Sequence, residues 1–290
     1  MAGRTVRVAV AAGLVAGLLA GCGRGQEPAP GQTGASPTPT PSAAPTAPPA
    51  EQRALPVYYV VETPAGLRLY REFHRLTTSD PASDAVRDML ARPKGDDPDY
   101  RTLWPAGTTL RSPVTAADGM ITVDLSREAL GPAPVGTEAA EMSVQQLVFT
   151  VQGALQSTDP VRLLVEGEAV PELWGAVATA DPVPRADQYA VRSLVQIDSP
   201  ADARALGRTV EVSGEAAVFE ATVPWEVLRD GKVVLSGFTT SAEGQRFAPY
   251  TFSVTLEPGI YVVRVTEDDP SDGEGRPPLS DDKTITVTAG

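Results

Sequence analysis

A single cysteine, Cys22, serves the whole 290-residue chain, so no disulfide within the chain can brace whatever it folds into. The folded parts must therefore stand on hydrophobic cores alone, and a 42% hydrophobic fraction is enough to build them. The length beyond the first 22 residues suits about two domains of roughly 100–150 residues each. A net charge of −13 argues against nucleic acid as a partner, because a phosphate backbone is met by clustered Lys and Arg. It argues equally against electrostatic docking onto anionic lipid.

Cys22 closes the run Leu19-Ala20-Gly21-Cys22, which follows Arg4, Arg7 and an unbroken small and apolar stretch from Val8 to Ala20. That order is a positive n-region, a short h-region and small residues before a cleavage point. The stretch falls well short of the roughly 20 residues needed to span a bilayer. The run resembles the bacterial lipobox. The resemblance implies that residues 1–22 are a lipoprotein signal, that the Cys22 thiol receives a diacylglycerol, and that the mature chain begins at this cysteine. Two or more acyl chains give stable attachment where one is marginal. The expected location is the extracytoplasmic face of a cell membrane.

Residues 23–54 are almost wholly Gly, Ala, Ser, Thr, Pro, Gln and Glu, without an aromatic, Val or Ile before Leu55. Such a segment buries too little apolar surface to offset its ordering entropy, so a disordered spacer is expected. Order is expected from Leu55. Val57–Val61 and Leu67–Leu76 read as strands around a Pro64-Ala65-Gly66 turn. Asp80-Pro81 reads as an N-cap and first helical residue, with Val86, Met89 and Leu90 on one face and Pro93 as the stop. A short strand is expected at Leu110–Ser112, then an Asp118-Gly119 hairpin into Ile121–Leu125. Thr137 is expected to cap a long helix striped by Ala140, Val144, Leu147, Val148, Val151 and Leu155, followed by strand Val161–Val165. Residues 55–174 thus predict an α+β domain in which two helices pack on a sheet.

The series Val57-Tyr58-Tyr59-Val60, Met89-Leu90-Ala91-Arg92-Pro93, Trp104-Pro105-Ala106-Gly107-Thr108, Gly119–Ser126, Gln145–Thr150 and Val161–Gly167 resembles, in its order and spacing, the GerMN domain of sporulation and germination proteins. That family's motifs carry no catalytic residues, and its fold is similar to ring-building modules of secretion and sporulation complexes. The resemblance implies assembly rather than chemistry.

Residues 175–191 read as a connector. In residues 192–290 the hydrophobic period becomes two, with short runs at Ser193–Ile197, Thr209–Ser213, Ala217–Val223, Trp225–Leu228, Lys232–Ser236, Thr251–Leu256, Tyr261–Val265 and Thr284–Thr288. Turn signals at Asp230-Gly231, Glu243-Gly244 and Pro258-Gly259 separate them, which predicts an all-β sandwich. Trp225 is the expected core aromatic, and Tyr261 is placed to hydrogen-bond back across a corner. The runs Ile197–Pro200, Val210–Ala216, Val218–Ala221 and Val223-Pro224-Trp225 resemble the immunoglobulin-like Gmad2 domain of germination proteins.

Catalytic, metal and cofactor sites are not expected. The one histidine, His74, lies between Phe73 and Arg75, no Gly-x-Ser-x-Gly surrounds a serine, and one histidine cannot build a zinc cluster. It is read as a surface or cross-strand residue. Asp124 and Glu128 lack a context marking an acid–base pair. The acidic run Glu267–Glu274 departs from an EF-hand at Pro270 and Leu279, which leaves only a loose carboxylate site for calcium. Trp104 and Trp174 are the candidate contacts for a sugar or a partner. The expected function is a non-catalytic, lipid-anchored envelope protein acting as an interaction module for another envelope protein. The alternative is a lipoprotein that binds peptidoglycan or another wall glycan.

Overall fold

The computed structural model of the protein describes residues 49–132, 134, 136–268 and 274–289. Leu19, Ala20, Gly21 and Cys22, the expected spacer as far as residue 48, and Asp269–Gly273 of the acidic run lie outside the described residues.

The chain opens with a long antiparallel hairpin of β1 (Glu51–Thr63) and β2 (Gly66–Thr78), closed where Thr63 faces Gly66. β1 starts before the expected Leu55: Glu51–Ala54 pair in register with Arg75–Thr78. Their side chains are exposed, so main-chain pairing holds them, and a hydrophobic pattern could not reveal that. Helix α1 (Pro81–Ala91) begins as expected, with the Asp80 side chain accepting from the Ser83 N–H at 3.2 Å. β3 (Thr115–Ala117) and β4 (Met120–Leu125) meet through Asp118 and Gly119, both at positive φ (52° and 71°), as a two-residue hairpin turn requires. The strand expected at Leu110–Ser112 is reduced to one bridge, Leu110 to Leu125.

Helix α2 (Thr137–Leu155) follows, with Gly136 rather than Thr137 at its N-cap. It carries the chain to β5 (Val161–Val165), which pairs parallel to β4, and then to β6 (Glu168–Ala169). A small hairpin of β7 (Glu172–Leu173) and β8 (Val177–Ala178) and a single-turn helix α3 (Gln188–Val191) complete this half. The expected single sheet under the helices is instead two: α1 and α2 pack on each other and on the β1–β2 hairpin, and share a core with a separate sheet ordered β3-β4-β5-β6. One core joins these parts: Val57, Tyr59, Met89, Val123, Leu147 and Leu163 are all buried in it.

The second half is a sandwich. Its strands are β9 (Val195–Ser199), β10 (Arg204–Leu206), β11 (Thr209–Ala216), β12 (Thr222–Arg229), β13 (Lys232–Thr240), β14 (Ala248–Thr255), β15 (Gly259–Thr266) and β16 (Ser280–Val287). Five strands, in the order β10-β16-β15-β12-β13, face three, β14-β11-β9. The run Ala217–Val223, expected as a strand, contains a 3-10 turn at Phe219–Ala221 in which Glu220 and Ala221 take positive φ. β10 carries no alternation to announce it and forms by pairing parallel to β16. The core is mainly aliphatic, built from Val195, Val212, Val227, Val263 and Ile285, with Tyr250 and Tyr261 as its buried aromatics. Trp225 sits beside that core, only partly buried, stacked on Phe252 with ring centroids 4.8 Å apart. Tyr261 does close the expected corner, its hydroxyl donating to the Glu257 carbonyl at 3.0 Å.

β13 is the outer strand of the five, touching the other sheet where the Thr239 hydroxyl donates to the Thr251 carbonyl of β14 at 2.9 Å. It pairs only with β12 in its sheet, and Val233, Val234, Leu235 and Phe238 are exposed along it, Phe238 by 75%. No helix among the described residues is long and apolar enough to cross a membrane.

At Gly214 on β11, an added Cβ would lie 1.9 Å from the Gln196 carbonyl oxygen and 2.7 Å from the Tyr250 hydroxyl. Gly214→Ala should therefore pry β9 from β11 and cost about 3 kcal/mol or more in urea unfolding. An unchanged midpoint would mean that the β9–β11 pairing is looser than its hydrogen bonds imply.

Candidate functional site

The two tryptophans expected to contact a sugar or a partner do come together, but as packing. Trp104 is 6% exposed, donates its Nε1–H to the Ser143 carbonyl at 2.8 Å, and meets Trp174 edge to face at 5.2 Å. Trp174, half-buried, donates to the Ala129 carbonyl at 2.9 Å. A sugar cannot stack on Trp104, because its faces are already covered by protein. A Trp–Pro turn packed into a core leaves the same sequence signal as one held at a surface.

His74 is a cross-strand residue, facing Leu55, but it is buried rather than on the surface. Glu72 accepts from its Nε2 at 3.0 Å and Asp88 pairs with its Nδ1. Burial alone would lower the pKa of the imidazole, yet the hydrogen bonds and charges of the two carboxylates raise it to about 9. Glu72 and Asp88 are held below the usual carboxylate range: burial opposes this, and the His74 hydrogen bond overcomes it. Glu72 also accepts from the Asp96 and Asp97 N–H groups at 2.9 and 2.8 Å, so the cluster pins the loop after α1. An imidazolium with both nitrogens engaged has no free lone pair to act as a base or to ligate a metal.

Asp124 is buried and accepts from the Gly167 N–H at 2.9 Å, while Glu128 lies on an exposed 3-10 turn. In the acidic run, Glu267 is held by the Arg276 guanidinium through two bonds of 2.8 Å.

Sequence reasoning missed the polar cluster between the two halves. Lys283 of β16 is 2% exposed, and its ammonium donates to Asp97 (2.6 Å), Tyr100 (2.9 Å) and Asp281 (3.0 Å). The second Asp281 oxygen accepts from the Ile197 N–H at 2.6 Å, and the Tyr100 hydroxyl donates to the first at 3.0 Å. Burial lifts the Asp281 pKa to about 6 against the pull of Lys283. Lys283 itself is held above its usual range, because Asp281 and Asp97 outweigh its burial. Around this centre the Tyr70 hydroxyl donates to the Ser280 carbonyl, and Arg71 grips Asp198 through two bonds of 3.2 and 2.7 Å. From Ala47 onward the chain forms one compact unit.

Beside this junction lies an open groove of about 1320 Å³. It is lined by Arg53 and Arg71 from the hairpin, Arg185 from the connector, Arg192 just after α3, and Arg246 from the loop before β14. Two glutamates, Glu215 and Glu243, are the acids among its lining residues.

Residues 56–171 match the family model Germane, described as sporulation and spore germination. Residues 194–274 match Gmad2, described as the immunoglobulin-like domain of bacterial spore germination. The chain thus carries a Germane domain followed by a Gmad2 domain. A solved structure of the tandem GerMN domains of the sporulation protein GerM from Bacillus subtilis is 20% identical, covers 53% of this chain and 51% of that chain, and has a TM-score of 0.40. The first GerMN domain of that protein is also 20% identical, covering 46% of this chain and 99% of that chain at a TM-score of 0.33. The present chain thus spans about half the length of the tandem structure. At these scores the domain assignment rests on the family models. No curated protein matches the sequence.

Two measurements follow from the charged clusters. Lys283→Met strands two buried carboxylates and should cost roughly 3 to 5 kcal/mol in urea unfolding, far more than an exposed lysine. A loss below about 1 kcal/mol would show that water enters the junction. For His74, the sign follows from a pKa raised to about 9 from 6.5. Its stabilisation is complete below pH 6.5 and drains away as pH rises through about 9. The loss should be on the order of 2 kcal/mol after allowance for solvent screening. Asp281, with its pKa near 6, is mostly ionised at the start of that window and adds only a few tenths of a kcal/mol of slope at its acid end. A His74→Gln variant should therefore show a nearly flat stability profile between pH 6.5 and 9. A slope unchanged from the parent would assign the effect to another group.

Proposed function

We propose that this protein is a non-catalytic, lipid-anchored envelope protein whose Germane and Gmad2 domains form one rigid interaction module. In this reading Cys22 carries the lipid at the extracytoplasmic face of the cell membrane, and the Pro/Thr-rich residues after it serve as a spacer. The module then contributes binding surface to a sporulation- or germination-type complex, or to one that regulates the envelope. The family descriptions support the sporulation and germination setting. The one histidine is locked between carboxylates, which speaks against its use as a catalytic base.

The observation that carries the interaction role is the β13 edge. A strand with an unpaired flank and exposed Val233, Val234, Leu235 and Phe238 is the kind of edge that soluble proteins normally blunt with charge, proline or a covering loop. Only Lys232 and the bulge between Val227 and Leu228 of β12 act in that direction. Strand addition from a protein partner would satisfy the free backbone groups and cover these side chains.

Living cells expressing the full chain test both parts. Cys22→Ser should abolish incorporation of a labelled fatty acid and release the protein from the membrane fraction. In the lipidated protein, Val234→Lys with Phe238→Glu should remove a reproducible crosslinked partner while leaving the melting temperature within a few degrees. A membrane-bound, unlabelled Cys22→Ser protein would refute the lipid anchor. A crosslinking pattern indifferent to β13 would refute the edge.

A further inference from the structure

The arginine groove beside the domain junction needs a separate account. In a chain of net charge −13, five arginines converge there against two glutamates. Most of them are paired within the fold: Arg71 with Asp198 at 2.7 Å and Arg53 with Glu51 at 3.4 Å. Glu215 is shared by Arg71 (3.3 Å) and Arg192 (2.8 Å), and Glu243 reaches only the exposed Arg246, at 3.9 Å. Arg185 has no carboxylate partner in the described structure: its Nε donates to the Gln152 side-chain oxygen at 2.7 Å, and its guanidinium lies 4.3 Å over the Phe149 ring. Arg192 is 4% exposed, stacks at 3.9 Å on Phe247, and leaves its buried Nε without an acceptor. Burial, with the Arg192 charge nearby, holds Arg185 below the usual guanidinium range despite Tyr58. A guanidinium without a carboxylate, beside a second whose Nε lacks an acceptor, makes this part of the groove a receptor for a planar oxyanion.

The rest of the lining narrows the ligand. Phe73 and Tyr189, exposed by 41% and 43%, line the groove; Arg71 lies 4.7 Å over the Phe73 ring and Phe247 packs 5.4 Å from the Tyr189 ring, so each offers a sugar only the surface those contacts leave open. The residues after α2 add Gln156, Ser157 and Thr158 to the lining, polar groups suited to hydroxyls. An acidic peptide would use the arginines but not this hydroxyl-directed lining. We propose that the groove binds a carboxylate-bearing glycan, with the carboxylate seated against Arg185 and Arg192 and a sugar ring on Tyr189. This site needs neither the lipid anchor nor the β13 edge, so it stands or falls apart from them.

The test is calorimetric titration of the full chain with two acidic probes, a hyaluronan tetrasaccharide and a tetragalacturonate. Neutral chitotetraose and a deca-glutamate peptide serve as controls. At least one acidic glycan should bind at least tenfold tighter than chitotetraose and deca-glutamate, and weaken as salt rises. Arg185→Gln should reduce that binding tenfold or more. Arg53→Glu with Arg246→Glu, both at exposed positions, should weaken it severalfold without moving the melting temperature. Arg185 also packs on Phe149, so the double surface variant keeps the test valid should Arg185→Gln destabilise the fold. Tyr189→Ala should cost severalfold more for the glycan than for deca-glutamate. Preference for deca-glutamate would overturn the proposal in favour of an acidic protein segment. So would equal binding by the arginine variants, or no binding of either acidic glycan.

Discussion

One lysine determines how the two domains meet. Lys283 has three N–H donors and no acceptor, and the interface supplies three acceptors from two domains: Asp97 and Tyr100 on one side, Asp281 on the other. Moving a charge of each sign out of water is expensive, and a buried pair seldom repays that by much. What it does impose is a penalty on every other arrangement. A docking shifted by a single residue would leave an ammonium, two carboxylates and a phenol buried and unpaired, each costing on the order of a few kcal/mol. An apolar patch of equal area tolerates sliding, whereas this cluster does not. The outer bonds, Tyr70 to Ser280 and Arg71 to Asp198, fall into place once that register is set.

The His74 cluster extends the same logic into the first domain. Asp97, which receives Lys283, lies in the loop whose backbone is held by Glu72, and Glu72 is in turn fixed by the imidazolium. The order of the loop, the charge on His74 and the domain junction are therefore linked through consecutive contacts. A lone histidine between two carboxylates, in a chain with so many acids, acts here as a structural cation. With no disulfide among the described residues, these ionic clusters supply the directional constraints that a cross-link would otherwise impose.

How legible this was depended on whether a feature was periodic or tertiary. Asp80-Pro81, the Asp118-Gly119 turn, the α2 stripe and the Tyr261 corner follow from local chemistry, and each was readable in advance. Strand β10 and the first four residues of β1 have no pattern of their own, and their partners create them. The junction cluster hid behind the rule that core positions are apolar. Reading strand β16 from Thr284 discarded Asp281 and Lys283 as a polar lead-in. Yet the alternation Asp281, Lys283, Ile285, Val287 keeps one buried face from start to finish. Two charges of opposite sign on the inward face of a strand were the signal, and only a neighbouring domain gives them meaning. The groove was invisible for the same reason, because its arginines come from residues as far apart as Arg53 and Arg246.

The same fixed junction sets how the surfaces open for binding are presented. The outer strand of the larger sheet is β13, an edge bearing apolar side chains. Beside the charged junction lies the groove of five arginines, and there Arg185 is the one without a carboxylate partner among the described residues. Over the whole chain, acids exceed bases by a net charge of −13, so copies of the protein repel one another. Both open regions are places where local requirements go unmet by the fold itself: an outer strand flank without a neighbour strand, and the Arg185 guanidinium without an anion. Because the junction does not slide, each is held as a preformed surface, so a ligand that satisfies either one need not first order the protein.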